Sequence, residues 1–167
     1  MIADPSDDPT RAAGRWDSLF ALLRRLDADI EQFYERRGVK GLRSRFALPM
    51  IRLAHDGPLT IRQLAASLDR THSAVSQTVS AMREAGMVQT VPGEDARTRL
   101  VVLTERGHEL IPLLEAEWRA TEAAVAELDD ETATPLSEIV AALTAAVDRL
   151  PMSARLDAHL DERGTAE

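Results

Sequence analysis

The chain of 167 residues contains no cysteine. That excludes disulfides, thiol redox sensing, cysteine nucleophiles and cysteine-ligated zinc together. Aromatic residues are scarce at 4%, and the apolar content of 44% comes mainly from alanine and leucine, a bias towards helix. No apolar run approaches the ~18 residues of a membrane span. The opening stretch, Met1 to Thr10, is acidic and polar and does not read as a signal peptide. The expectation is a cytoplasmic protein with one core.

A positive net charge is also missing: the formal charge is -8. Its distribution matters more than its sum. Positions 36 to 106 hold twelve Lys and Arg against six acids, a local balance of +6, and the remaining residues carry -14. A basic centre thus lies between acidic flanks, and a polyanion responds to the local field.

Helical spacing is plain at the start, where Trp16, Phe20, Leu23, Ile30 and Tyr34 recur on one face up to Arg36. Gly38 and Gly41 break that helix. Ser44 to His55 continues helically with Phe46, Met50 and Leu53. Pro49 inside it predicts a kink or a late helix start, because proline has no N–H and clashes with the carbonyl four residues back. Asp56-Gly57-Pro58 is a turn. Thr60 followed by Gln63 is a capping-box pattern, and Ile61, Leu64, Ala65 and Leu68 form an apolar face. After Asp69-Arg70-Thr71 a second helix runs to about Ala85 with Val75, Val79 and Met82 inside, and Gly86 ends it. Two short helices with a three-residue break form a helix-turn-helix.

The period then changes. Met87–Val91 and Arg99–Leu103 read as strands around the turn Pro92-Gly93-Glu94-Asp95, which makes a hairpin, or wing. Thr104 opens a long helix with the stripe Leu110, Leu114, Trp118, Thr121, Val125 and Leu128, a near-heptad suited to packing on another helix. Pro112 is expected to bend its first turns. Thr134 and Pro135 predict the N-cap and first residue of a last helix to about Leu150. The fold class is therefore mainly α (α+β): a winged helix-turn-helix with a two-stranded wing and long flanking helices. The predicted divisions are a disordered lead at 1–11, an N-terminal helix at 12–43, the winged region at 44–106, C-terminal helices at 107–150 and a polar tail at 151–167.

The second helix of a helix-turn-helix fits the major groove and reads base edges with its exposed side chains. Here that face carries Thr71, His72, Ser73, Ser76, Gln77, Ser80 and Arg83, with Arg62 and Arg70 nearby. Every surface helix has a polar face, but this one holds a single acid, Glu84, in an acidic protein. Its poverty in carboxylates favours DNA. On the wing, Arg97 is suited to a minor groove and Arg99 to phosphate, and Asp95 is spaced to hold the Arg97 guanidinium. A solvated salt bridge in a turn explains the same pair.

Taken in order, Gly57-Pro58-Leu59-Thr60, Leu64-Ala65, Ser76-Gln77-Thr78-Val79, Gly86-Met87-Val88, Asp95-x-Arg97 and Leu103-Thr104-x-x-Gly107 resemble the MarR family of winged helix-turn-helix transcriptional regulators. The resemblance covers about residues 44 to 128. It implies a homodimer joined through N- and C-terminal helices and a palindromic double-stranded DNA site. It also implies Arg97 in the minor groove, the helix from Thr71 in the major groove, and a ligand-responsive repressor whose small effector weakens DNA binding. Two features depart from the pattern: the absence of cysteine excludes the peroxide-sensing branch, and Pro49 and Pro112 fall in helices that line the family's ligand pocket.

Trp16, Phe20, Arg45, Phe46, Met50 and Trp118 are candidate ligand-pocket residues, although dimer-core packing accounts for the apolar ones and Arg45 suits a DNA phosphate as well as an anionic ligand. Glu105 and His108, with His55, are weighed as metal ligands and set aside; no metal or cofactor is expected. No nucleophile–base pair, phosphate-binding glycine loop or paired carboxylate in an apolar setting appears, so an enzyme is not expected. A winged-helix module that binds protein instead of DNA is the alternative reading, and the overall acidity is its support.

Overall fold

The computed structural model describes residues 8–95 and 98–164, with the side chains of Pro9 and of residues 162–164 left aside. Two compact units result, Met1–Ala116 and Glu117–Glu167. The boundary lies inside a long helix, ten residues beyond the predicted edge of the winged region.

In the first unit, helix α1 spans Asp17–Arg36. A 3-10 turn, Ser44–Phe46, leads into α2, Ala47–Asp56. The late start predicted from Pro49 is what occurs. Pro49 is the third residue of α2, in the first turn, where a backbone N–H has no helical partner to lose. Helix α3 is Ile61–Ser67 and α4 is His72–Glu84. The capping box is complete: Gln63 N donates to Thr60 Oγ1 at 3.2 Å, and Thr60 N donates to Gln63 Oε1 at 2.9 Å.

Helices α3 and α4 end alike. Asp69 N and Arg70 N donate to the carbonyls of Ala66 and Ala65, and Gly86 N and Met87 N to those of Arg83 and Met82. Each is a Schellman ending with its pivot in the left-handed region, Asp69 at φ 49° and Gly86 at φ 70°.

Strands β1, Val88–Pro92, and β2, Arg99–Leu103, pair antiparallel in the register Val88↔Leu103 to Pro92↔Arg99. Leu59 adds a bridge to Val101 through two backbone bonds, 3.3 and 2.7 Å. The turn before α3 is thereby pinned to the outer edge of β2 by a single bridge, a feature not expected from the sequence. The core beneath joins Tyr34, Leu42, Phe46, Met50, Leu64, Val75, Val79, Met82, Met87, Val101 and Leu114. Helix α5, Glu105–Asp130, begins in this unit, with Pro112 as its eighth residue.

The rest of α5 belongs to the second unit with α6, Leu136–Arg149, and α7, Met152–Gly164. Three expectations need correction here and at the N-terminus. The predicted polar tail is helix α7: Met152, Leu156 and Leu160 recur every fourth residue, a helical stripe hidden among Asp157, His159 and Asp161. The N-terminal cap of α6 is not the Thr134 side chain. Asp129 Oδ1, from the end of α5, accepts from Leu136 N at 2.9 Å, and Thr134 lends only its carbonyl, to Thr132 Oγ1. Finally, the predicted disordered lead ends in a 3-10 turn, Pro9–Arg11, because Asp8 caps it through Thr10 N at 2.9 Å.

Candidate nucleic-acid interface

Helix α4 is divided by its periodicity. Val75, Val79 and Met82 are buried in the core. The opposite side leaves His72, Ser73, Gln77, Ser80 and Arg83 exposed and Ser76 half-buried. Thirteen residues rising ~1.5 Å each give about 20 Å of helix, enough to follow a major groove across one half-site. Thr71 is the N-cap, its Oγ1 accepting from Ala74 N at 3.3 Å. Its hydroxyl hydrogen stays free to donate, so capping and a phosphate contact are compatible. Thr78, also polar, is turned to its own helix by a 3.0 Å bond to the Ala74 carbonyl and contributes no reading group.

Arg62 on α3 and Arg70 in the turn before α4 are exposed. So are Arg99, opposite Pro92 at the loop end of the hairpin, and Asp95 in the loop itself. Gly93 N donates to the Thr98 carbonyl at 2.9 Å and Thr98 N to the Asp95 carbonyl at 2.8 Å, which extends the strand pairing into the loop. Arg97, and with it the Asp95–Arg97 pairing, lies outside the described residues.

The structure adds positions that sequence reasoning did not select. A groove of about 550 Å³ between the last turns of α4 and β1 is lined by Ser80, Arg83, Glu84, Val88, Gln89 and Thr90. Gln89 and Thr90 are exposed on β1, beside the last turns of α4. Two polar residues between Val88 and Val91 were the only signal in the sequence, and it does not reveal that β1 lies beside α4.

How α4 is held matters as much as what it displays. Thr104 Oγ1 donates to the Gly86 carbonyl at 2.8 Å and accepts from Gly107 N at 3.1 Å, so a single hydroxyl caps α5 and ties it to the end of α4. Arg106 extends the tie: Nη1 donates to the Ala85 carbonyl and Nη2 to the Lys40 carbonyl, both at 2.9 Å.

The candidate ligand-pocket residues are not assembled in the first unit. Phe46 and Met50 are fully buried core, whereas Trp16, Phe20 and Arg45 are exposed. Trp118 belongs to the second unit and is partly exposed. Core packing therefore accounts for Phe46 and Met50. Glu105 and His108 are exposed at the start of α5, and the third residue weighed with them, His55, is engaged elsewhere, with Nε2 2.7 Å from Glu115 Oε1. Among the described residues no group of three or more His, Cys, Asp or Glu is placed to hold a metal ion, and no helix is long and apolar enough to cross a membrane.

A family model described as HVO_A0114 matches residues 50–109, the segment from α2 to the first turn of α5. None of the curated proteins is significantly similar in sequence. Solved structures share the fold. The S. aureus MepR–DNA complex aligns with a TM-score of 0.60 at 16% identity, covering 83% of this chain and 99% of that one. The M. tuberculosis transcriptional regulator MOSR, in complex with DNA, aligns at 0.55 and 18%, covering 84% and 100%. A MarR protein from Peptoclostridium difficile aligns at 0.53 and 16%, covering 89% and 91%. The chain has the winged-helix fold of these regulators over nearly its whole described length.

Proposed function

We propose that this chain is a MarR-type transcriptional regulator that binds double-stranded DNA as a homodimer, and that it is not an enzyme. The observation that carries the reading is the exposed side of α4. Ser, Thr, Gln, His and Arg side chains occupy it, Glu84 is its single acid, and a hairpin stands beside it, on a fold shared with regulators solved in complex with DNA. In the major groove Gln77 suits adenine, and Ser73, Ser76 and Ser80 suit bases or phosphates. Arg97 and Arg99 on the hairpin suit the minor groove and its phosphates.

The overall acidity, which favoured a protein-binding module, does not fall on this surface. Residues 117–167 hold twelve acids and four arginines and account for a charge of -8 by themselves. A second copy is the occupant proposed for the apolar residues of the terminal helices, since the DNA site of such a regulator is a palindrome. Response to a small effector, and repression as its sign, rest on the MarR resemblance.

The test is selection of genomic fragments by the purified protein, followed by binding titrations at several salt concentrations with and without candidate effectors. Specific fragments are expected, with affinity falling steeply as salt rises. Arg97→Ala is expected to weaken binding at least tenfold. Absence of any retained fragment, or affinity indifferent to salt, overturns the reading.

A further inference from the structure

Ten residues between the last turn of α1 and the 3-10 turn before α2 hold five cations and no acid: Arg36, Arg37, Lys40, Arg43 and Arg45. All five are exposed, and none is ion-paired among the described residues. We propose that this connection is a second DNA-binding surface, one that grips the phosphates flanking the groove occupied by α4 and does so without regard to sequence. The inference rests on the proposed DNA-binding function and extends it to residues outside the helix-turn-helix and the wing.

Three observations separate this segment from an ordinary solvated charge run. First, it is folded. Gly38 and Gly41 take φ of 76° and 77°, values that L side chains rarely adopt. Leu42 is buried and Val39 packs against the core, so Lys40 and Arg43 alternate with the anchors and are left outside. Aromatic rings brace two of the guanidiniums: Arg37 Cζ lies 3.6 Å from the centre of the Phe33 ring and Arg45 Cζ 5.7 Å from that of Phe46. A pre-ordered cation loses less freedom on binding than a free one.

Second, the segment runs alongside the reading helix. Arg106 bridges the Lys40 carbonyl to the Ala85 carbonyl at the end of α4, and the 3-10 turn Ser44–Phe46 packs on α4 itself. Elements packed on a helix sit ~8–10 Å from its axis. The turn packs through buried Phe46, on the core side of α4 and not on its exposed side, so it is the long arginine and lysine side chains, not the backbone, that reach to the phosphates beside the groove.

Third, the charge is uncompensated where a polyanion would approach. No acid occurs from position 36 to 55 in a chain that holds 28, and a cationic stretch free of carboxylates suits phosphate.

The experiment uses the full-length protein and a 30-base-pair duplex of arbitrary sequence, so no operator need be known. The slope of log K against log salt is compared for wild type, for the triple variant K40Q/R43Q/R45Q, and for the control R24Q/R25Q on α1. Each phosphate contact adds about 0.9 to the slope. Loss of three contacts lowers it by about 2.7, so the affinity lost between 50 and 200 mM salt becomes about 40-fold smaller. The control keeps the wild-type slope. Thermal melts accompany each variant, and the single variant R43Q, expected to lower the slope by about 0.9, replaces the triple one if that fails to fold. A slope unchanged in the substituted protein, or equally lowered by the control, overturns the proposal. So does a fall in dimer content with no change in slope, which would assign the loop to a second copy of the chain. If wild type itself does not bind duplex DNA, the functional reading fails and takes this inference with it.

Discussion

A few positions bear backbone constraints that most residues cannot meet. A Cβ on Gly107 would lie 2.2 Å from the Met87 carbonyl oxygen. Backbone, not a flexible side chain, is the obstacle, so α5 would have to move off the segment that joins α4 to β1. Gly107→Ala is expected to cost about 1–3 kcal/mol, the range of core overpacking, and to appear as a lowered thermal midpoint. Asp69 and Gly86 fill equivalent left-handed positions at the ends of α3 and α4. Asp tolerates this conformation better than most residues, and a β-branched side chain does not. Asp69→Val is therefore expected to destabilise by about 1–2 kcal/mol while Asp69→Gly leaves stability unchanged or higher, as denaturant titration would show. The spacing Leu103-Thr104-x-x-Gly107 was visible in the sequence. The 2.2 Å approach that makes glycine obligatory was not, because it depends on where the end of α4 meets α5.

At the scale of elements, caps were the most legible features. Thr60 with Gln63 was read from local pattern, since capping is chemistry between neighbours in sequence; the Thr71 cap of α4 is a finding of the structure. Thr71→Ala is expected to cost about 1 kcal/mol and to weaken DNA binding through fraying of the reading helix. Calorimetry and a binding titration on the same preparation would separate the two effects. The cap of α6 was misread for the same reason: Asp129 reaches Leu136 N across seven residues, a loop closure that a local pattern cannot show. Helix α7 was missed because its apolar residues are few and Pro151 looked like an end. In the structure Pro151 is a corner. Arg155 donates to the Leu150 carbonyl at 3.0 Å and to the Ala146 carbonyl at 2.9 Å, completing the terminus of α6 with a side chain from α7.

The whole molecule displays much more apolar surface than a monomer of its size needs. On α1, Trp16, Phe20, Leu22 and Leu23 are about half exposed, and in the second unit Ile139, Val140, Leu143, Val147 and Leu156 are likewise open, with Leu160 exposed to 67%. Contiguous apolar stripes on helices in water signal association. Leu143→Glu combined with Val147→Glu is expected to convert the proposed homodimer to monomer in sedimentation experiments. Affinity for a palindromic fragment should then fall at least tenfold, since two half-sites are no longer bound together. A double variant that remains dimeric would place the interface elsewhere.

The sequence by itself determined what is local: the helical faces, the two-helix break, the hairpin, the cap of α3, and a basic centre set between acidic flanks. Those follow from periodicity, turn chemistry and charge, which act over a few residues. Only the tertiary structure decided which apolar residues are core and which are left open. Phe46 and Met50 went inside while Trp16 and Phe20 stayed out, though all four share the same chemistry. It also decided that Leu59 bridges to the wing, that β1 flanks the last turns of α4, and that Arg106 binds the loop after α1 to the end of α4. Contacts between residues 21 to 66 positions apart depend on the packing of whole elements, and no short stretch of sequence encodes them.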